Sequence, residues 1–88
     1  KQLVFDNTMK ITLYQFEECP YCAKVRAKLS ELGLSYEKIN VPYDRDDFLR
    51  QELLEKSGVA TVPVIKIDNK YIGDSEKIIT FLESFKKD

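Results

Sequence analysis

Histidine is absent from this chain, which removes the side chain most used as a general base and as a metal ligand near neutral pH. Cysteine is scarce: Cys19 and Cys22 are the two in the sequence. A small secreted scaffold needs more bridges at scattered positions. A structural zinc site needs four ligands, so only one shared between two chains stays open. Neither sign of charge prevails, with 14 basic against 15 acidic residues and a net charge of −1. Nothing global therefore draws the protein to nucleic acid or to anionic lipid. No apolar run is long enough for a membrane span, and residues 1–10 lack the apolar stretch of a signal peptide. With 88 residues, 43% of them hydrophobic and 33% charged, the chain is expected to fold as one small domain. It does not begin with Met. Residues 1–8 read as an N-terminal extension or expression remnant, with Met9 opening a domain over 9–88.

What is present reads as alternating strands and helices. Ile11 to Phe16 carries apolar side chains on both faces, the pattern of a central strand covered on two sides. Pro20 then stands at a first-turn position, and Cys22, Val25, Leu29 and Leu32 share one helical face until Gly33 stops the helix. Tyr36 to Val41 alternates as a half-exposed edge strand. Asp44, Asp46 and Asp47 crowd the start of a second helix, whose apolar side is read as Phe48, Leu49, Leu53 and Leu54 and whose end is Gly58. Val64 to Ile67 and Lys70 to Ile72 flank Asp68-Asn69, a two-residue connection that makes an antiparallel hairpin. A last helix is expected from about Asp74 to Lys86, with Ile78, Ile79, Leu82 and Phe85 facing inward and a basic end. The opening βαβ unit should be right-handed with parallel strands. The hairpin must join the same sheet to bury its apolar side. This α/β order, βαβ-α-ββα with a four-stranded mixed sheet flanked by helices, is that of the thioredoxin fold.

Cys19-Pro20-Tyr21-Cys22 falls where the central strand gives way to a helix. The first N–H groups of a helix have no internal partners, and those of Tyr21 and Cys22 can point at the Cys19 sulfur. An ordinary thiol of pKa about 8.5 is only about 3% thiolate at pH 7, and a helix N-terminus favours the charged form. Pro20 gives up no useful donor there. Cys22 lies one turn on, close enough to attack a mixed disulfide at Cys19. The plain alternative, two small buried hydrophobes, is disfavoured by the spacing and the strand-to-helix context.

Tyr14 to Cys22 resembles the active site of dithiol glutaredoxins. The resemblance continues through Ser57-Gly58, Thr61-Val62-Pro63 and Ile72-Gly73-Asp74-Ser75, and covers roughly Met9 to Phe85. It implies that Thr61, Val62 and Pro63 border a glutathione site, with the Val62 backbone pairing with the cysteinyl part and Pro63 following a cis peptide bond. It implies further that Asp74, Ser75 and Glu76 meet the γ-glutamyl end; Asp74 or Ser75 also suits plain helix capping. Tyr21 is expected to shield the disulfide. The family usually has a lysine three residues before the first cysteine, where this chain has Phe16 followed by Glu17 and Glu18. Arg50 matches a basic family position, and is expected either to supply part of that missing charge or to face solvent. Asp74 stands where the family commonly has a second glycine. Asp-Ser followed by Ile-Ile-x-Phe-Leu is similar to the N-terminal domain of glutathione transferases. Leu13 to Arg26 is similar to glutaredoxin-like domains of membrane-associated prostaglandin synthases.

The activity implied is that of a glutathione-dependent thiol–disulfide oxidoreductase. Cys19 attacks a protein or glutathione mixed disulfide, and glutathione or Cys22 releases it. Glutathione is then the reducing co-substrate and disulfide-containing proteins are the substrates. No metal, nucleic acid or membrane is expected, and the protein is read as a cytoplasmic monomer. The alternative is a transferase-like module that binds glutathione or a protein without redox turnover. Cluster assembly is a third option, disfavoured by the rigid proline and the second cysteine.

Overall fold

β1 (Ile11–Gln15), β2 (Glu37–Asn40), β3 (Val64–Ile67) and β4 (Lys70–Gly73) form one sheet in the order β2-β1-β3-β4. The computed structural model describes residues 10–84; the expected extension, Met9 as a start, and Phe85 and Lys86 at the end of the last helix lie outside the described residues. β1 is buried along nearly its whole length, as its two-faced apolar pattern requires. It pairs parallel with β2, Leu13 opposite Lys38, and antiparallel with β3, Leu13 opposite Ile65. β2 is the mostly exposed edge, a residue shorter at each end than its alternation suggests. Asp68 and Asn69 close the β3–β4 hairpin, Asp68 with a left-handed φ of 57°, a conformation that aspartate tolerates better than most residues.

Three helices complete the chain: α1 (Pro20–Glu31), α2 (Phe48–Ser57) and α3 (Ser75–Glu83). α1 and α3 pack side by side on one face of the sheet. Val25 and Leu29 of α1 and Ile78 and Leu82 of α3 close over Ile11, Leu13, Ile65 and Ile67 to make the core. Lys28 bridges the two helices, pairing with Glu31 at 3.2 Å and with Glu83 at 3.1 Å. Gly33 and Gly58 follow α1 and α2 with φ of 69° and 75°, the left-handed caps expected of them. α3 has no basic residue in its last turn as described.

α2 departs from its expected orientation. Of the four apolar residues assigned to its inner side only Leu53 is buried, whereas Phe48 is 76% exposed and Leu49 and Leu54 are also exposed. Leu53 and Arg50, three residues apart on one face, turn inward instead. The crowding acids lie just ahead of the helix: Asp47 is its N-cap, accepting from the Leu49 N–H at 2.9 Å, and Asp44 accepts from the Asp46 N–H. Between α2 and the hairpin, Val59 packs so tightly on Gly73 that a Cβ there would lie 2.6 Å from a Val59 methyl.

Candidate active site

The path from β1 to α1 sets the chemistry. Cys19 is the N-cap of α1, extended at φ −74° and ψ 118°, and Pro20 follows as the first helical residue. The Cys22 N–H donates to Cys19 Sγ at 3.1 Å. An orphan donor of the helix end is thereby aimed at sulfur, where it favours negative charge. Both thiols are free. Cys22 is completely buried, and that burial pushes its thiol up to about 12, its hydrogen bond with Cys19 adding to the rise. A backbone hydrogen bond with Phe16 and the charge of Arg26 act in the opposite sense. The pair is thus asymmetric: Cys19 borders the cleft described next, while Cys22 sits behind it as a protonated thiol.

A cleft of 930 Å³ opens over Cys19. Every site residue expected from the sequence except Cys22 lines it: Cys19, Tyr21, Arg50, Thr61, Val62, Pro63, Asp74, Ser75 and Glu76. The Val62–Pro63 bond is cis, as the family resemblance implied. Asp74 is the N-cap of α3, but its side chain makes no capping hydrogen bond. Its φ of 73° and ψ of 118° lie outside the regions open to residues with a Cβ. Aspartate here carries backbone strain at the rim of the site, in a conformation suited to the glycine that the family resemblance implied.

Of the two expectations for Arg50, the solvent-facing one fails. It is 6% exposed, so it does not face solvent. Its Nη1 donates to the carbonyls of Pro42 at 2.7 Å and Tyr43 at 3.0 Å, and its Nη2 to that of Ala60 at 3.4 Å. The guanidinium therefore ties two loops together along one wall of the cleft, its charge spread over carbonyl oxygens. Glu17 also behaves differently from a free acid beside the thiolate. Lys38 pairs with it at 2.8 Å, and that hydrogen bond, helped by one from Gln15, holds its carboxyl below the usual range. Phe16, in place of the family's lysine, lines the cleft and meets the Tyr43 ring edge-on at 5.4 Å.

Tyr43, Asp44 and Arg45 also line the cleft and were not expected at the site from the sequence, where Asp44 was read only as a helix-start acid. The signal was available: they follow the carboxyl end of a parallel strand, where α/β sheets commonly hold ligands. Gln15 was missed as well, although a carboxamide closing an otherwise apolar strand is itself an anomaly. Among the described residues no three His, Cys, Asp or Glu side chains gather as a metal site, and no helix is long and apolar enough to cross a membrane.

Comparison with known proteins follows this geometry closely. The family model described as glutathione S-transferase, N-terminal domain, matches residues 13–86. Glutaredoxin 3 of Escherichia coli (strain K12) is 37% identical over 68 residues, 77% of this chain and 80% of that protein. Prostaglandin E synthase 2 of Danio rerio is 36% identical over 81 residues, 91% of this chain but 20% of that protein. Among solved structures, a glutathione transferase homolog from Drosophila mojavensis with bound glutathione superposes with a TM-score of 0.80 at 28% identity. That match covers 91% of this chain and 37% of the transferase.

Proposed function

The chain belongs to the glutaredoxin family, in the thioredoxin fold shared with glutathione S-transferase N-terminal domains, and from that premise we propose that it is a glutathione-dependent thiol–disulfide oxidoreductase. The observation that carries this reading is the Cys22 N–H donated to Cys19 Sγ at the floor of an open cleft. A sulfur so placed suits attack as a thiolate, and no histidine base is needed because the thiolate is both nucleophile and leaving group. Cys19 attacks the substrate disulfide, the substrate's second sulfur departs, and a mixed disulfide remains on Cys19. Glutathione or Cys22 then resolves it. The Val62 backbone, beside the cis Pro63, pairs with the cysteinyl part of glutathione, with Thr61 and Tyr21 flanking it. Asp74, Ser75 and Glu76 receive the γ-glutamyl end, where a helix N-terminus suits a carboxylate and acidic side chains an ammonium. Arg50 lends its charge to the wall opposite. Protein disulfides and glutathione mixed disulfides are the substrates, met by a monomer in the cytoplasm, where thiols are kept reduced.

Reduction of a small glutathione mixed disulfide, coupled through glutathione reductase, tests the reading. A parallel arm supplies thioredoxin reductase as the electron source. Turnover with glutathione is expected, abolished by Cys19→Ser and retained by Cys22→Ser, since glutathione can resolve the intermediate. An active Cys19→Ser beside an inactive Cys22→Ser would reverse the roles. The transferase family model and the chain's 37% span of the solved transferase favour a second reading, a glutathione-binding module without turnover. Calorimetric binding of glutathione with no turnover in either arm would decide for it.

A further inference from the structure

Gln15 ends β1 fully buried, and its carboxamide is used in three directions. Nε2 donates to Asn40 Oδ1 at 2.7 Å and to Glu17 Oε2 at 3.1 Å, while Oε1 accepts from Arg26 Nη1. One side chain thereby joins β1, β2, α1 and the segment leading to Cys19. Burying a carboxamide costs free energy unless its hydrogen bonds are made, yet an apolar residue would fill the same strand end. The exchange of disulfides at Cys19 makes no use of this hub.

Its placement suggests a use. Arg26 follows Cys22 by four residues, so the two share one face of α1. Gln15, which anchors the guanidinium, immediately precedes Phe16, whose carbonyl accepts from the Cys19 N–H at 3.2 Å. The cation is therefore held at the strand end from which the chain enters the cysteine turn, on the helix face that Cys22 occupies. We propose that Arg26, held by Gln15, is a positioning residue for the resolving step, its guanidinium stabilising the Cys22 thiolate as it forms. The inference rests on the oxidoreductase reading above.

In that step the Cys22 thiol releases its proton to water, and its sulfur attacks Cys19 Sγ of the mixed disulfide. The Cys19–Cys22 bond forms, the bond from Cys19 to the glutathione sulfur breaks, and glutathione leaves as a thiolate that takes a proton from water. The Cys22 sulfur is oxidised and the glutathione sulfur reduced, while Cys19 exchanges one disulfide partner for the other. Cys22 begins as a buried thiol whose ionisation is disfavoured, so a nearby cation acts on the step that needs it. From its own helix, Cys19 and Arg26 face it. From the β1 and β2 side come Glu17 and Lys38, paired with each other beyond Gln15. α3 meets α1 through Ile78 and Leu82 and, about two turns from Cys22, through the Lys28–Glu83 pair.

The test mixes the reduced full chain with oxidised glutathione and quenches with acid. Mass spectrometry then separates the Cys19–glutathione adduct from the internal disulfide. In Arg26→Gln the adduct is expected to persist, its conversion at pH 7 slowed at least about threefold for each unit by which the Cys22 pKa rises. The tenfold loss of thiolate per unit is partly offset by its greater nucleophilicity. The pH at which conversion is half-maximal moves up in Arg26→Gln and returns in Arg26→Lys; Gln15→Met shifts it the same way by less. Unchanged conversion in Arg26→Gln, or equal slowing in Arg26→Lys, would overturn the role of Arg26 while leaving the oxidoreductase reading intact. A wild-type chain that never takes up glutathione at Cys19 would overturn that reading and this inference with it.

Discussion

The two faces of the sheet are built on different principles. The face under α1 and α3 is a dry core in which Leu13, Val25, Leu29, Ile65, Ile78 and Leu82 are completely buried. The face toward α2 buries Leu53 beside Arg50, and its helix leaves Phe48, Leu49 and Leu54 to solvent. Apolar burial orders the first face; hydrogen bonds from one guanidinium to loop carbonyls order the second. The cleft lies where the two meet, taking Cys19 and Tyr21 from the α1 side and Tyr43, Arg45 and Arg50 from the α2 side. A half packed by apolar burial thus presents the reactive sulfur, and a half tied by hydrogen bonds shapes the space in front of it.

The largest expected effect is on the dry face. Leu29→Ala should lower unfolding stability by about 2–5 kcal/mol, the range for a buried leucine cut back to a cavity. Chemical denaturation measures it, and a loss under about 1 kcal/mol would mean that this face is packed more loosely than its burial suggests.

On the tethered face, Arg50→Met should remove about 1.5–3 kcal/mol by withdrawing charged donors from three carbonyls. Its effect on KM for glutathione should exceed that on kcat, because the variant loosens the cleft wall rather than the sulfur. Equal loss in both parameters would break the division between the two halves.

Cys22 adds a pH dependence to the dry face. Its thiol is raised in the folded state, so the neutral form is the one folding favours. Below the ordinary thiol pKa of about 8.5 both states are protonated and nothing is lost. Above it the unfolded chain binds fewer protons than the folded one, so stability falls with rising pH by up to about 1.4 kcal/mol per unit. Denaturation of the reduced protein between pH 8 and 10 should show that decline, and Cys22→Ala should flatten it. A slope unaltered by Cys22→Ala would place the cause elsewhere.

At the junction, Asp74→Gly should raise the melting temperature, since relief of a strained backbone angle is worth about 1 kcal/mol. The smallest effect belongs to the outer side of α2. Phe48→Ser should change stability by less than about 0.5 kcal/mol, as surface substitutions do, although the residue reads as core by composition. A loss comparable to that of Leu29→Ala would abolish the contrast between the faces.

Local pattern made much of the molecule legible. The two-faced apolar strand, the Cys-Pro-Tyr-Cys turn into a helix, the hairpin at Asp68-Asn69 and the glycine stops each depend on residues within a few positions of one another. Propensity and periodicity act at that range. Those signals placed Cys19 and Cys22, whereas Thr61, Val62, Pro63, Asp74, Ser75, Glu76 and Arg50 were expected at the site only through the resemblance to glutaredoxins. α2 was misread because four apolar residues in ten can be threaded onto more than one helical face, and nothing local says which face the sheet will meet.

Sequence by itself determined the order of elements, the placing of Cys19 at a helix N-terminus, and the asymmetry between a thiol at the helix end and one a turn deeper. The tertiary structure alone decided that Arg50 is buried against carbonyls from two loops and that Gln15 pairs with Asn40, 25 residues away, as well as with Arg26. It likewise decided that Asp74 is held at a positive φ. The physical reason is common to all three. A backbone carbonyl, a carboxamide or a strained angle has no hydrophobic period to announce it, so its partner is known only once distant segments have been brought together by the apolar core.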